Sequence, residues 1–196
     1  MADLKRICVY CGSSTGSRPE YRKTAEELGC YLATNNIGLV FGGSDLGLMG
    51  MLADSVLAAG GEAIGVIPKA LMAREIAHTG LTELRVVGTM HARKALMSEL
   101  SDAFIALPGG YGTMEELIEM LTWSQLGIHK KPCAVLNIHG YFDGLMEFLD
   151  HAVEEGFLRS ENRGLLLVDT TVESLFRRIR SFSPVMVEKW IGREIR

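Results

Sequence analysis

Two short stretches hold the residue types best suited to chemistry on a phosphorylated ligand. The first is Pro108-Gly109-Gly110-Tyr111-Gly112-Thr113-Met114-Glu115-Glu116. Its glycines let the backbone approach a ligand closely. A helix starting there offers N–H groups and partial positive charge to a phosphate. Glu116 then stands one turn from that phosphate, within reach of a sugar carried by it. The plainer reading of the same residues is a capping box, T-x-x-E, with Thr113 as cap and Glu116 reaching back. Downstream, Met114, Leu117, Ile118 and Leu121 have the spacing of a core-facing stripe. Glu115, Glu119 and Thr122 fall on another face, either solvated or lining a cleft. The second stretch is Met90-His91-Ala92-Arg93-Lys94. Met90, Arg93 and Lys94 share a helix face by i, i+3, i+4 spacing. Two cations there can bind a phosphate or offset a carboxylate. An exposed amphipathic helix is the alternative.

These stretches need elements to hold them. Seven apolar runs read as strands: Arg6–Tyr10, Gly38–Phe41, Ala63–Ile67, Leu84–Val87, Ala103–Leu107, Cys133–Ile138 and Leu165–Val168. They are rich in Val, Ile and Leu without polar alternation, the pattern of strands buried on both faces of a parallel sheet. Helical patterns lie between them, over Glu20–Asn35, Leu48–Ala59, Met90–Leu100, Thr113–Leu126, Tyr141–Glu155 and Val172–Arg180. This alternation predicts an α/β fold, a doubly wound, mostly parallel sheet with helices on both faces, Rossmann-like, in one domain spanning 1–196. Ligands of such sheets bind beyond the carboxyl ends of the strands. Three Gly- or Ser-rich loops fall there: Cys11 to Ser17, Gly42 to Gly50, and Pro108 to Thr113. Their convergence predicts a nucleotide-like ligand. The segment after Pro184 is expected to pack on the body or on a partner.

Composition narrows the function. The chain has 196 residues, 20 Lys plus Arg against 24 Asp plus Glu, and a net charge of −4. A nucleic-acid binder working by bulk charge would show a basic excess, so no nucleic-acid partner is expected. No run of 18 apolar residues occurs, so no membrane span is expected. The start lacks an apolar signal region, which predicts a cytoplasmic protein. Cys8, Cys11, Cys30 and Cys133 then read as free thiols. Cys8-x-x-Cys11 lacks a second such pair, and small core residues are the favoured reading over a metal or redox pair. There is no P-loop signature, no G-x-G-x-x-G, no H-E-x-x-H and no G-x-S-x-G. The five histidines are scattered, and no metal site is expected.

The paired motifs, P-G-G-x-G-T-x-x-E at Pro108–Glu116 and M-x-x-R-K at Met90–Lys94, resemble those of the Lonely Guy family of cytokinin-activating phosphoribohydrolases. Members were long labelled possible lysine decarboxylases. The likeness covers nearly the whole chain, because the two earlier glycine loops also fit. It implies hydrolysis of the N-glycosidic bond of a nucleoside 5′-monophosphate, N6-prenylated AMP or AMP, to free base and ribose 5-phosphate. It implies Arg93 and Glu116 as catalytic residues. Gly110, Tyr111, Gly112 and Thr113 would cradle the 5′-phosphate, with Gly109 and Met114 among the other substrate-binding residues. Lys94 would assist beside Met90, and Glu115, Thr122 and Glu75 would contact substrate. No cofactor is implied, and a homodimer is. Decarboxylation would instead need an electron sink such as pyridoxal phosphate on a Schiff-base lysine, for which Lys94 is the one candidate in the site. A protein that binds a nucleotide or phosphoribosyl ligand without turnover is the alternative from another class.

Overall fold

A computed structural model describes residues 4–72 and 77–183. Its sheet has seven strands: β1 (Arg6–Tyr10), β2 (Gly38–Phe41), β3 (Ala63–Pro68), β4 (Glu83–Val87), β5 (Ala103–Ala106), β6 (Cys133–Leu136) and β7 (Leu166–Asp169). They lie in the order β4-β3-β2-β1-β5-β6-β7, and every pairing is parallel. All seven predicted strands form. Burial on both faces holds for β2, β3, β5 and β6, which are inaccessible throughout. It fails for β4, whose Glu83 and Val86 are exposed, because β4 is an edge strand with one neighbour.

The helices are α1 (Pro19–Thr34), α2 (Gly47–Ala58), α3 (Met90–Glu99), α4 (Tyr111–Gln125), α5 (Asp143–Glu154), α6 (Ser160–Arg163) and α7 (Val172–Ser181). Helices α1, α2 and α7 pack with Ile7, Val9, Leu39 and Phe41 on one face of the sheet. Side chains of α3, α4 and α5 pack with Cys8, Tyr10, Val40 and Phe104 on the other. Alternate residues of β1 thus feed two separate cores, as a pleated strand requires. Fully burying a Leu or Ile contributes about 1.5–3 kcal/mol. Leu28, Leu32, Leu39 and Leu52 are all inaccessible, so the first core alone holds the α1–α2 pair firmly on the sheet.

Three local outcomes differ from the sequence reading. Helix α4 begins at Tyr111 with Gly110 as its N-cap, two residues before the expected Thr113. Ile138–Gly140 is a 3-10 turn ahead of α5, with His139 at φ +51°. Helix α6 is a single turn between α5 and β7 that no periodicity announced. The segment after Pro184 lies outside the described residues. No described helix is long and apolar enough to cross a membrane.

Candidate active site

The strand order reverses between β1 and β5, so the crevice of the fold opens where the loops after these two strands diverge. The three glycine loops meet there. Gly12 N donates to Pro108 O at 3.0 Å, and Leu48 N donates to Gly12 O at 3.0 Å. The first loop is therefore laced to both others by its own backbone. A cleft of about 320 Å³ opens beside them, floored by Gly12, Ser14, Gly109 and Gly110 and walled by Tyr21 and Tyr141. The Tyr141 hydroxyl donates to Gly109 O at 2.5 Å, and its ring meets Tyr21 edge to face.

Gly109 fits here because it has no side chain. A Cβ on it would lie 2.0 Å from Thr113 Oγ1. Thr113 is buried beneath the loop, at the third position of α4. The capping box is thereby corrected: with Gly110 as N-cap, Thr113 is inside the helix and Glu116 lies beyond the capping position. The first N–H groups of α4 lack intrahelical acceptors, as in any helix. Gly110 and Gly112 leave open space above them. The Tyr111 side chain is 98% exposed.

Helix α3 supplies the cations. Thr89 caps it, its Oγ1 accepting from Ala92 N at 3.1 Å. The residues α3 buries are Arg93, Lys94, Met97 and Ser98. Arg93 and Lys94 are only 5% and 7% exposed, which excludes the exposed amphipathic helix considered from sequence. Buried charges of this kind need partners. Arg93 Nη2 donates to Gly42 O at 3.2 Å, and Nη1 lies 3.9 Å from Met90 Sδ. Lys94 Nζ donates to Glu115 and, at 3.0 Å, to Glu119. Burial pulls the Lys94 ammonium down, but these two acids outweigh it and hold its pKa above the ordinary value.

Arg93 and Glu116 both act electrostatically on β1. Burial pushes the Cys8 thiol far up, the Tyr10 hydroxyl and the Arg93 charge ease it down, and the Glu116 charge raises it. Cys11 is raised by burial first and by Glu116 second. Cys8 and Cys11 are buried free thiols in opposite cores, so they form no metal or redox pair. Cys133 is pushed up to about 12 by burial.

The structure thus brings Met90, Arg93, Lys94 and Gly109 to Glu116 to one region. It sets Thr122 apart, two turns beyond Glu115 and roughly 10 Å along α4 at 1.5 Å per residue. There the Thr122 hydroxyl donates to Ile118 O at 2.8 Å, in a groove shared with Leu149 and Leu158. Ile118 is exposed, and the deep face of α4 is Thr113, Leu117 and Met120, a rotation of the expected stripe. Glu75 lies outside the described residues. Sequence reasoning missed the Gly42 carbonyl as the acceptor for Arg93, and Tyr141 as a support of Gly109. The first had a signal in the Gly42-Gly43 loop. The second had none, because the partners are 32 residues apart.

Asp45, Asp54 and His78 form a group of metal-capable side chains among the described residues. His78 Nδ1 accepts from Gly80 N at 3.1 Å, so Nε2 carries the proton toward Asp54 at 3.0 Å. Both ring nitrogens are thus engaged, Nδ1 within the 77–80 segment and Nε2 against α2, and His78 N ties the segment to the loop after β2 by donating to Gly43 O.

Comparison with known proteins places the chain in a family. The family model described as possible lysine decarboxylase matches residues 49–179. Cytokinin riboside 5′-monophosphate phosphoribohydrolase LOG1 of Arabidopsis thaliana is 49% identical over 92% of this chain and 85% of its own. The probable rice counterpart LOGL2 (Oryza sativa subsp. japonica) is 49% identical over 92% of this chain and 74% of its own. Among solved structures, the molybdenum cofactor carrier protein of Chlamydomonas reinhardtii superposes with a TM-score of 0.69 at 23% identity, over 91% of this chain and 98% of that one, a likeness of fold. The chain belongs to the LOG family of cytokinin riboside 5′-monophosphate phosphoribohydrolases, the group whose family model still carries the possible lysine decarboxylase description.

Proposed function

We propose that this protein hydrolyses the N-glycosidic bond of adenosine-type nucleoside 5′-monophosphates, N6-prenylated AMP or AMP, to free base and ribose 5-phosphate. The observation that carries the reading is the buried Arg93 of α3, held to Gly42 O, beside an α4 whose open N-terminus carries Glu116 and whose Glu115 bonds the adjacent Lys94. The phosphate sits over the N–H groups of Gly110, Tyr111, Gly112 and Thr113, supported by the positive end of α4. Breaking C1′–N9 builds positive charge on the sugar, which the Glu116 carboxylate stabilises. Water adds its hydroxyl to C1′, the bond pair leaves with N9, and the base takes up a proton. Arg93 fixes the ribose phosphate so that remote binding energy orients the reacting centre. Met90, Met114, Glu115 and Glu75 complete the proposed substrate contacts. The protein acts in the cytoplasm and as a homodimer, the second reading supported by the exposed apolar side chains of Ile118, Leu126, Ile128, Phe148 and Phe157.

The residues do not fit lysine decarboxylation. A Schiff-base lysine needs a lowered pKa. Lys94 is held protonated by two carboxylates and its pKa is raised. Chromatography of purified protein with AMP and with N6-isopentenyl-AMP tests the proposal. Free base and ribose 5-phosphate are expected, and both disappear in Arg93→Ala and Glu116→Ala. Saturable binding of AMP without release of base overturns it in favour of a nucleotide-binding module.

A further inference from the structure

Lys94 stands where a phosphate-binding cation is expected, but its charge is already taken. An ammonium has three donors and no acceptor. Two of them go to Glu115 and Glu119. One positive charge facing two negative ones leaves a local excess of one negative charge, which disfavours a second anion. The two acids also differ. The Glu115 side chain is 55% exposed and the Glu119 side chain 23%. Glu119 is thus the inner anchor, one turn deeper in α4, and Glu115 the outer arm.

Sequence position gives this bridge its consequence. Lys94 follows Arg93 on α3, and Glu115 precedes Glu116 on α4. Any link between Lys94 and the two acids sets how the start of α3 lies against the start of α4. It therefore sets the placement of Arg93 relative to Glu116. Nothing else in the proposed reaction calls on Glu119.

We propose that Glu119 is a positioning residue: through Lys94 it braces α3 against α4 and holds Arg93 and Glu116 in register, and Lys94 acts through this brace instead of on the phosphate. The proposal rests on the glycosidase reading.

Glu119→Gln separates the two roles by sign. If Lys94 is a phosphate ligand, removing a competing carboxylate frees it, so KM for AMP falls and kcat is kept. If Glu119 is a brace, kcat falls on the order of tenfold or more, as small misplacements of catalytic groups do, and KM does not fall, because the Arg93 that holds the ribose phosphate shifts too. Inhibition by ribose 5-phosphate is expected to weaken to the same extent, within about twofold, in Glu119→Gln and Lys94→Met, because both act through Arg93. A lowered KM with unchanged kcat in Glu119→Gln, or a loss of ribose 5-phosphate inhibition confined to Lys94→Met, overturns the proposal. If Glu119→Gln does not fold, Lys94→Met carries the same kcat-against-KM reading. Wild-type protein that releases no base from AMP fails the parent reading instead. Calorimetric binding of ribose 5-phosphate to Lys94→Met and to Glu119→Gln then decides the phosphate question separately, and binding weakened in Lys94→Met alone overturns the proposal.

Discussion

Gly42 touches no substrate in the proposed reaction, yet replacing it with alanine is expected to cripple the site. The Cβ of Gly42→Ala would lie 2.2 Å from Arg93 Nη2 and 3.1 Å from Met49 Sδ. Ordinary contacts of such an atom begin at 3.4 Å, so the guanidinium must retreat by about 1 Å or lose its bond to Gly42 O. A displacement of about 1 Å at a catalytic group costs roughly 10²-fold in rate. At 1.36 kcal/mol per tenfold, that is about 2.7 kcal/mol of transition-state stabilisation. The lost hydrogen bond to a charged group adds about 1.5–3 kcal/mol against stability if nothing replaces it. Gly42 has an ordinary φ, so backbone strain does not enter. The assay is chromatographic release of base from AMP, with urea unfolding run in parallel. Gly88→Ala is the control, because a Cβ there meets nothing within 4 Å. If folded Gly42→Ala turns over AMP within about threefold of wild type, Arg93 does not need its observed position, and the steric argument is wrong.

Other perturbations have smaller expected effects. Tyr141→Phe removes the bond to Gly109 O, worth about 0.5–1.5 kcal/mol. Its KM for AMP should rise several-fold, and an unchanged KM would show that the Gly109 loop holds itself. Thr89→Ala removes the α3 cap and should cost about 1 kcal/mol in urea unfolding, with kcat reduced because Arg93 rides on that first turn. His129 should make stability fall on acidification. Burial lowers its pKa below 6.5, Nε2 donates to Met120 O and Nδ1 accepts from Lys131 N. The unfolded chain therefore takes up this proton first as pH falls. The contribution is complete above pH 6.5 and is lost below it. Urea midpoints at pH 8 and pH 5.5 should differ less in His129→Gln than in wild type.

The elements were legible because their signals are local. Apolar runs of four to six residues marked all seven strands, and glycine-rich turns marked the loops after β1, β2 and β5. The least legible boundaries were those fixed by contacts between distant residues. Thr113 has the composition of a cap, yet it is drawn beneath Gly109, so the helix starts earlier at Gly110. Ile118 has core-like spacing, yet it faces outward because the α4 stripe turns through Leu117 and Met120 instead.

The chain's residues alone determined the α/β class, the parallel sheet, and the two motifs that tie it to the LOG family. Periodicity and motif spacing are properties of neighbouring residues and survive without coordinates. Only the tertiary structure decided what the charges do. From sequence, Arg93 and Lys94 were an adjacent pair on one helix, equally suited to solvent, a phosphate or a carboxylate. Folding buries both. It gives Arg93 a backbone carbonyl 51 residues away and gives Lys94 two acids on another helix. The cost of leaving a buried charge unpaired forces such partners to exist. Which residues they are depends on how β1 and β5 bring three loops and two helix ends to one edge.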